Sequence, residues 1–268
     1  MGDYVDIDGV HTWFETVGNG EPLVLLHGGL ETNAAWAGQL PSLGKNFRVL
    51  APERRGHGHT PDVDGRLSYS VMADDTIAFI QAVIHAPAHL VGWSDGAIVA
   101  LLVAQRRPDL VRKLVLIGGN ADVSGYVPEW GQVTQAPADS PLFEPFRAAY
   151  EAVSPDGPGH WPVVFAKAMD MWRTEPHIPL ADLGEIHART LVLVGDDDVI
   201  TLEHAVALYR AVPGAELAVV PGASHMVPLE KPDLVNHLLL DFLRLDAAPT
   251  LLPVRRSAAP APGQDVLT

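Results

Sequence analysis

The chain predicts an open α/β fold: a mostly parallel sheet flanked by helices, with a small helical cap inserted between two later strands. Three observations carry this. Short apolar runs alternate with helix-patterned segments from Val10 to Ile117. The rhythm stops from Asn120 to about Ile186, where strand-like runs vanish, Pro and Gly become frequent and aromatics gather. It resumes at Thr190. Repeated strand–helix units wind a parallel sheet covered on both faces, and such sheets meet their ligands beyond the carboxyl ends of the strands.

Val10 to Val17 alternates loosely and reads as an early, partly exposed strand. Leu23-Val24-Leu25-Leu26 is continuously apolar, as a strand covered on both faces must be, and it runs into His27-Gly28-Gly29-Leu30. A helix is expected from Thr32 or Asn33 through Trp36 and Leu40, then a short strand at Phe47–Leu50 and a turn-rich loop from Pro52 to Thr60. Ser70 begins a helical pattern with Val71, Ile77, Ile80 and Ile84 on its apolar face. Leu90 to Trp93 is the central strand, Gly96 to Arg106 the helix after it, and Pro108 stops that helix. Val111 to Ile117 is another buried strand.

Within the cap, Phe143–Val153 and Trp161–Trp172 have helical spacing. After it come a strand at Thr190–Val194, a helix at Glu203–Arg210, a strand at Ala215–Val220 and a mostly helical Pro228–Leu245. The expected division is a core of residues 1–119 with 187–246, a cap of 120–186, and a flexible Pro- and Ala-rich tail over 247–268. No internal repeat is present.

With 268 residues and 47% hydrophobic content, the chain can bury a large core. Lys and Arg total 18 against a net charge of −15, and no basic stripe appears, so nucleic acid is not an expected partner. The acidic field favours neutral or cationic small molecules over anionic ones. Absence of cysteine excludes disulfides and thiol chemistry. Met1–Val10 is acidic where a signal peptide needs a basic and then an apolar run, and no apolar stretch is long enough to span a bilayer. The expectation is a soluble, cytoplasmic protein with no membrane partner. Oligomeric state is not legible.

The chemistry centres on Gly92-Trp93-Ser94-Asp95-Gly96, lying between a buried strand and a helix. A sharp strand-to-helix turn forces unfavourable backbone angles on the serine, and glycines are needed where a Cβ would meet the crossing strand and helix. The hydroxyl then stands over a helix N-terminus, which favours developing negative charge. A serine needs a base, and the base needs an orienting group. His225 follows a Pro-Gly turn at a strand end and is the expected base. Asp196, Asp197 and Asp198 stand together after another strand. Asp198, deepest in the loop and followed by Val199 and Ile200, is the expected orienting acid; Asp196 is the alternative, with backbone amides as its other use. The oxyanion hole is expected from the backbone N–H groups of Asp95 and Gly29, with His27 as a hydrogen-bonded brace of its loop.

The order Ser, acid, His, together with His27-Gly28-Gly29, Glu53-Arg54-Arg55-Gly56-His57-Gly58 and the serine pentad, resembles the α/β-hydrolase superfamily over residues 5–245. Its members usually carry Asp where Glu53 stands. The resemblance implies the α/β-hydrolase fold and a serine hydrolase without cofactor or metal. The pentad also resembles that of the valacyclovir hydrolase group and related bacterial hydrolases, which implies that Asp95 binds a substrate amine; a plain helix-start role is the other reading. Trp130, Trp161 and Trp172 are candidate substrate contacts, although a small cap needs a core of its own.

The expected activity is cleavage of a small carboxylic ester or lactone through an acyl-enzyme. The alternatives are an α-amino-acid ester hydrolase, a cofactor-free perhydrolase or carbon–carbon bond hydrolase, and a non-catalytic ligand receptor on the same fold. Serine at the nucleophile position argues against alkyl-enzyme chemistry, which needs a carboxylate there.

Overall fold

The computed structural model describes residues 2–246 and 250–252. Among them, β1 (Gly2–Ile7), β2 (Val10–Val17), β3 (Glu21–Leu26), β4 (Phe47–Pro52), β5 (Ala88–Trp93), β6 (Val111–Ile117), β7 (Arg189–Asp197) and β8 (Glu216–Ser224) form one sheet in the order β1-β2-β4-β3-β5-β6-β7-β8. β2 runs antiparallel to β1 and β4, and the remaining pairs are parallel. Leu25, Val91, Val115 and Leu191 stand in one row across the central strands. The next row, Leu26, Gly92, Leu116 and Val192, faces the opposite side, as the two-residue period of a strand requires.

Both faces are covered, which is why these strands read as continuous apolar runs. The helices are α1 (Leu40–Leu43), α2 (Tyr69–Phe79), α3 (Asp95–Arg106), α4 (Trp130–Val133), α5 (Glu144–Val153), α6 (Trp161–Thr174), α7 (Leu202–Ala211), α8 (Val227–Glu230) and α9 (Pro232–Arg244). Residues of α2, α3, α7 and the cap helices share one core with Val24, Leu26, Leu90 and Leu116. On the other face, Leu43 and Val235, Leu239 and Phe242 of α9 pack on Leu25, Val91 and Val115. The chain leaves β6 for the cap helices α4, α5 and α6. It then returns through a 3-10 segment, Leu180–Glu185, whose Leu183 is fully buried.

Several expectations need correction. The N-terminal residues form β1, paired with β2 through an Asp8-Gly9 turn, both residues at positive φ. An Asp-Gly pair between two strands is a hairpin signal, and it was legible. The helix expected from Thr32 to Leu40 is two short pieces, a 3-10 turn Asn33–Trp36 capped by Thr32, and α1, which begins at Leu40 with Pro41 second. Proline at the second position suits a new helix start and not a helix interior. In α2 the buried face is Tyr69, Met72, Ala73, Thr76 and Phe79, while Val71 is exposed. Pro232 likewise splits the last helical stretch into α8 and α9. The tail expected over 247–268 lies outside the described residues except for 250–252. Among the described residues, no helix is long and apolar enough to cross a membrane.

Candidate active site

Ser94 follows β5 directly and caps α3, at φ 55° and ψ −120°. For an L-residue this left-handed φ is strained. The strand and helix on either side hold it there. A Cβ on Gly92 would lie 2.1 Å from the carbonyl oxygen of Gly96, and one on Gly96 would lie 2.0 Å from that of Leu26. The Ser94 N–H donates to the Ile117 carbonyl at 2.8 Å, fixing the turn to β6.

Ser94 Oγ lies 2.9 Å from His225 Nε2, and His225 Nδ1 lies 2.7 Å from Asp198 Oδ1. Nδ1–H donating to the carboxylate leaves Nε2 free to accept from the serine, the tautomer a general base needs. The Asp198 side chain is 0% exposed, and it also accepts from the Ile200 N–H at 2.9 Å. Asp196 and Asp197 are exposed, and Asp196 Oδ1 accepts from the Ala223 N–H at 3.2 Å. The structure therefore brings Ser94, His225 and Asp198 together and places Asp196 as a tie between the ends of β7 and β8. Trp93 Nε1 donates to the His225 carbonyl at 2.9 Å and steadies that loop from beneath. Gly118, at φ 55°, makes room beside the pair: a Cβ there would sit 3.0 Å from His225 Nδ1.

Gly29 faces the start of α3, and a Cβ on it would lie 2.4 Å from Asp95 Oδ2. The N–H groups of Gly29 and Asp95 donate to no acceptor among the described residues. For Asp95 this is the ordinary state of a first helical residue. The loop carrying Gly29 is braced from behind. His27 Nδ1–H donates to the Gly28 carbonyl at 2.7 Å, and its Nε2 accepts from the Arg54 N–H at 3.2 Å. The buried Arg54 guanidinium donates to the carbonyls of His27 and Gly28 at 2.6 and 3.0 Å. Burial pulls the Arg54 pKa down to about 10, with Asp95 offsetting part of that. Glu53 keeps the role its loop needs: its carboxylate accepts from the N–H groups of Asn33 and His59 at 3.0 and 2.6 Å.

The Asp95 carboxylate does not face the cavity. It is 2% exposed, and it accepts from Tyr69 OH at 2.8 Å and from Trp172 Nε1 at 3.0 Å. Burial raises its pKa, and Arg54 opposes that rise. Elbow, α2, cap helix α6 and oxyanion loop thus meet at one buried charge.

Above Ser94 lies a cavity of about 290 Å³. Trp93, Trp130, Phe143, Phe146 and Trp172 line it, with no Lys or Arg among the described residues. Trp161 is elsewhere: it packs against Tyr150 and Phe165 inside the cap and donates to the Ala138 carbonyl at 2.9 Å. A helical cap this small buries its own aromatics first, which explains the placement. Glu31 also lines the cavity; sequence reasoning missed it, together with Tyr69, Arg54 and Trp93. Its position two residues beyond Gly29, in a loop already tied to the site, was the signal available for Glu31. Among the described residues no group of His, Asp or Glu is arranged to hold a metal.

Comparison with known proteins agrees with this fold. Residues 23–238 match the family described as the alpha/beta hydrolase family. Serine hydrolase BPHL of Mus musculus is 31% identical over 257 residues, covering 90% of this chain and 85% of that protein. A 2-hydroxy-6-oxo-2,4-heptadienoate hydrolase of Pseudomonas putida is 29% identical over 269 residues, covering 91% of this chain and 96% of that one. A meta-cleavage product hydrolase from Pseudomonas fluorescens superposes with a TM-score of 0.78 at 25% identity, over 90% of this chain and 97% of that one.

Proposed function

The chain belongs to the alpha/beta hydrolase family, and from that premise we propose that this serine-dependent enzyme hydrolyses a small ester or lactone that is neutral or cationic. The observation that carries the choice is the lining of the cavity over Ser94: aromatic rings, the carboxylates of Glu31 and Asp197, and no Lys or Arg among the described residues.

Ser94 Oγ attacks the carbonyl carbon as its proton passes to His225 Nε2. The N–H groups of Gly29 and Asp95 receive the developing oxyanion, and Asp198 holds the imidazolium through Nδ1–H. Collapse of the adduct restores the carbonyl and breaks the bond from the acyl carbon to the alkoxy oxygen, and Nε2–H gives its proton to the departing alkoxide. Water then attacks the acyl-enzyme with His225 as base, releasing the acid and restoring Ser94. The cap supplies the walls that choose the substrate.

A second reading has support from the relatives, whose names weigh toward carbon–carbon bond hydrolysis more than toward simple esters. There the same attack would expel a carbon leaving group protonated by the site. A dienoate is an anion, however, and this cavity offers it two carboxylates and no cation among its described lining residues. Rates on p-nitrophenyl esters, simple lactones and a 6-oxo-dienoate separate the two readings. The ester or lactone is expected to lead; a dienoate kcat/KM more than ~100-fold above the best of them would move the assignment to the second reading.

A further inference from the structure

We propose that the cavity over Ser94 recognises an organic cation, so that the substrate carries an ammonium nitrogen seated between the Glu31 carboxylate and the aromatic wall. The proposal rests on the hydrolase reading above and adds the substrate's charge to it.

Two observations converge. Glu31 lines the cavity, is only partly exposed, and has no hydrogen-bond or ion-pair partner among the described residues. It stands next to the nucleophile: a Cβ on Gly28 would touch Glu31 Cγ at 3.3 Å and Ser94 Cβ at 3.6 Å. A carboxylate left unpaired in a largely apolar recess is relieved either by taking up a proton or by a cationic ligand that completes it. The second observation is the wall itself. Trp130 and Trp172, with ring centroids 5.4 Å apart, share the cavity with Trp93, Phe143 and Phe146. Aromatic faces beside an unpaired carboxylate are the surroundings that hold quaternary and protonated amines. Asp95 is not available for this task, because Tyr69 and Trp172 already occupy its oxygens.

The charged neighbours are consistent with such a site. His225 faces Glu31 from the loop after β8, and Asp197 lines the same cavity from the end of β7. Arg54 lies behind the oxyanion loop with its guanidinium bonded to backbone carbonyls. Burial raises the Glu31 pKa to about 7, partly offset by His225, so the cation-binding form grows as pH rises through neutrality.

A matched pair of probes tests this: acetylcholine and its neutral isostere 3,3-dimethylbutyl acetate, of equal shape and fixed charge. The native enzyme is expected to favour the cationic ester by ~10-fold or more in kcat/KM. That ratio should rise between pH 6 and 8 and approach unity in Glu31→Gln. Both esters pass through the same attack by Ser94, so pH effects common to the chemical step cancel in the ratio. Turnover of both esters with a ratio near unity and flat in pH would overturn the cation site while leaving the hydrolase reading intact. If neither ester is turned over, calorimetry of tetramethylammonium on the native protein decides. Binding weakened ~10-fold or more in Glu31→Gln supports the site, and absence of binding overturns it. Failure of a serine-directed phosphonate to label Ser94 would separately count against the hydrolase reading.

Discussion

At the level of single residues, the strained backbone of Ser94 and the sealed carboxylate of Asp198 are where chemistry is concentrated. Ser94→Ala should leave the fold intact and lower ester hydrolysis by at least ~10³-fold, measured as kcat on a purified, folded variant. Asp198→Asn should lower activity far more than Asp196→Asn, because Asp198 meets His225 and Asp196 meets a backbone N–H. Equal losses in two equally stable variants would move the orienting role. Both contacts were legible from the order of residues and the apolar pair after Asp198. Asp95 was half legible: its N–H could be placed from the helix start, but its carboxylate's partners, Tyr69 and Trp172, are 26 and 77 residues away and leave no local mark. Asp95→Asn would set an amide N–H against one of two donors. It should therefore lower kcat/KM about equally for amino esters and their des-amino analogues. A selective fall on the amino ester would restore the amine-binding reading.

Among elements, the strands were legible because burial on both faces leaves continuous apolar runs, and the helix after the pentad because glycine and alanine let it approach the sheet. Boundaries set by packing were not. Nothing in the apolar spacing of α2 told that Tyr69 and Met72 face the core while Val71 faces solvent, since that phase is fixed by α3 and the cap. The cap behaves the same way: its helices were visible, but it was not visible that Trp130 and Trp172 face the cavity while Trp161 does not. Replacing Trp172 by Phe removes a wall of the cavity and a donor to Asp95, so relative kcat/KM across acyl and alcohol sizes should change. Trp161→Phe should mainly lower Tm, with selectivity retained. A selectivity change in the Trp161 variant alone would reverse these placements.

For the molecule as a whole, the buried imidazoles make stability depend on acidity. Burial and the Arg54 charge hold His57 down at about 3 against 6.5 in the open chain, and burial also pushes His27 well below its ordinary value. Between those two values the unfolded chain takes protons that the folded His57 refuses. Its contribution is therefore complete above pH 6.5 and declines as pH falls toward 3. Glu31 and Asp95, whose pKa values are raised, act in the opposite sense as pH rises above their ordinary values. Comparing native protein with His57→Gln isolates the first effect. The urea midpoint of the native protein should fall more steeply from pH 7 to pH 5 than that of the variant, and parallel curves would refute it.

The junction at Asp95 has a consequence for descent. One anionic side chain there satisfies a phenol on α2 and an indole on α6, while the Arg54 charge offsets its burial. A lineage that lost the indole would keep an underused buried anion, and one that lost the anion would strand a cation behind the oxyanion loop. Tyr69, Asp95, Trp172 and Arg54 should therefore pass from ancestor to descendant as a set, and homologues that exchange one are expected to have exchanged the others.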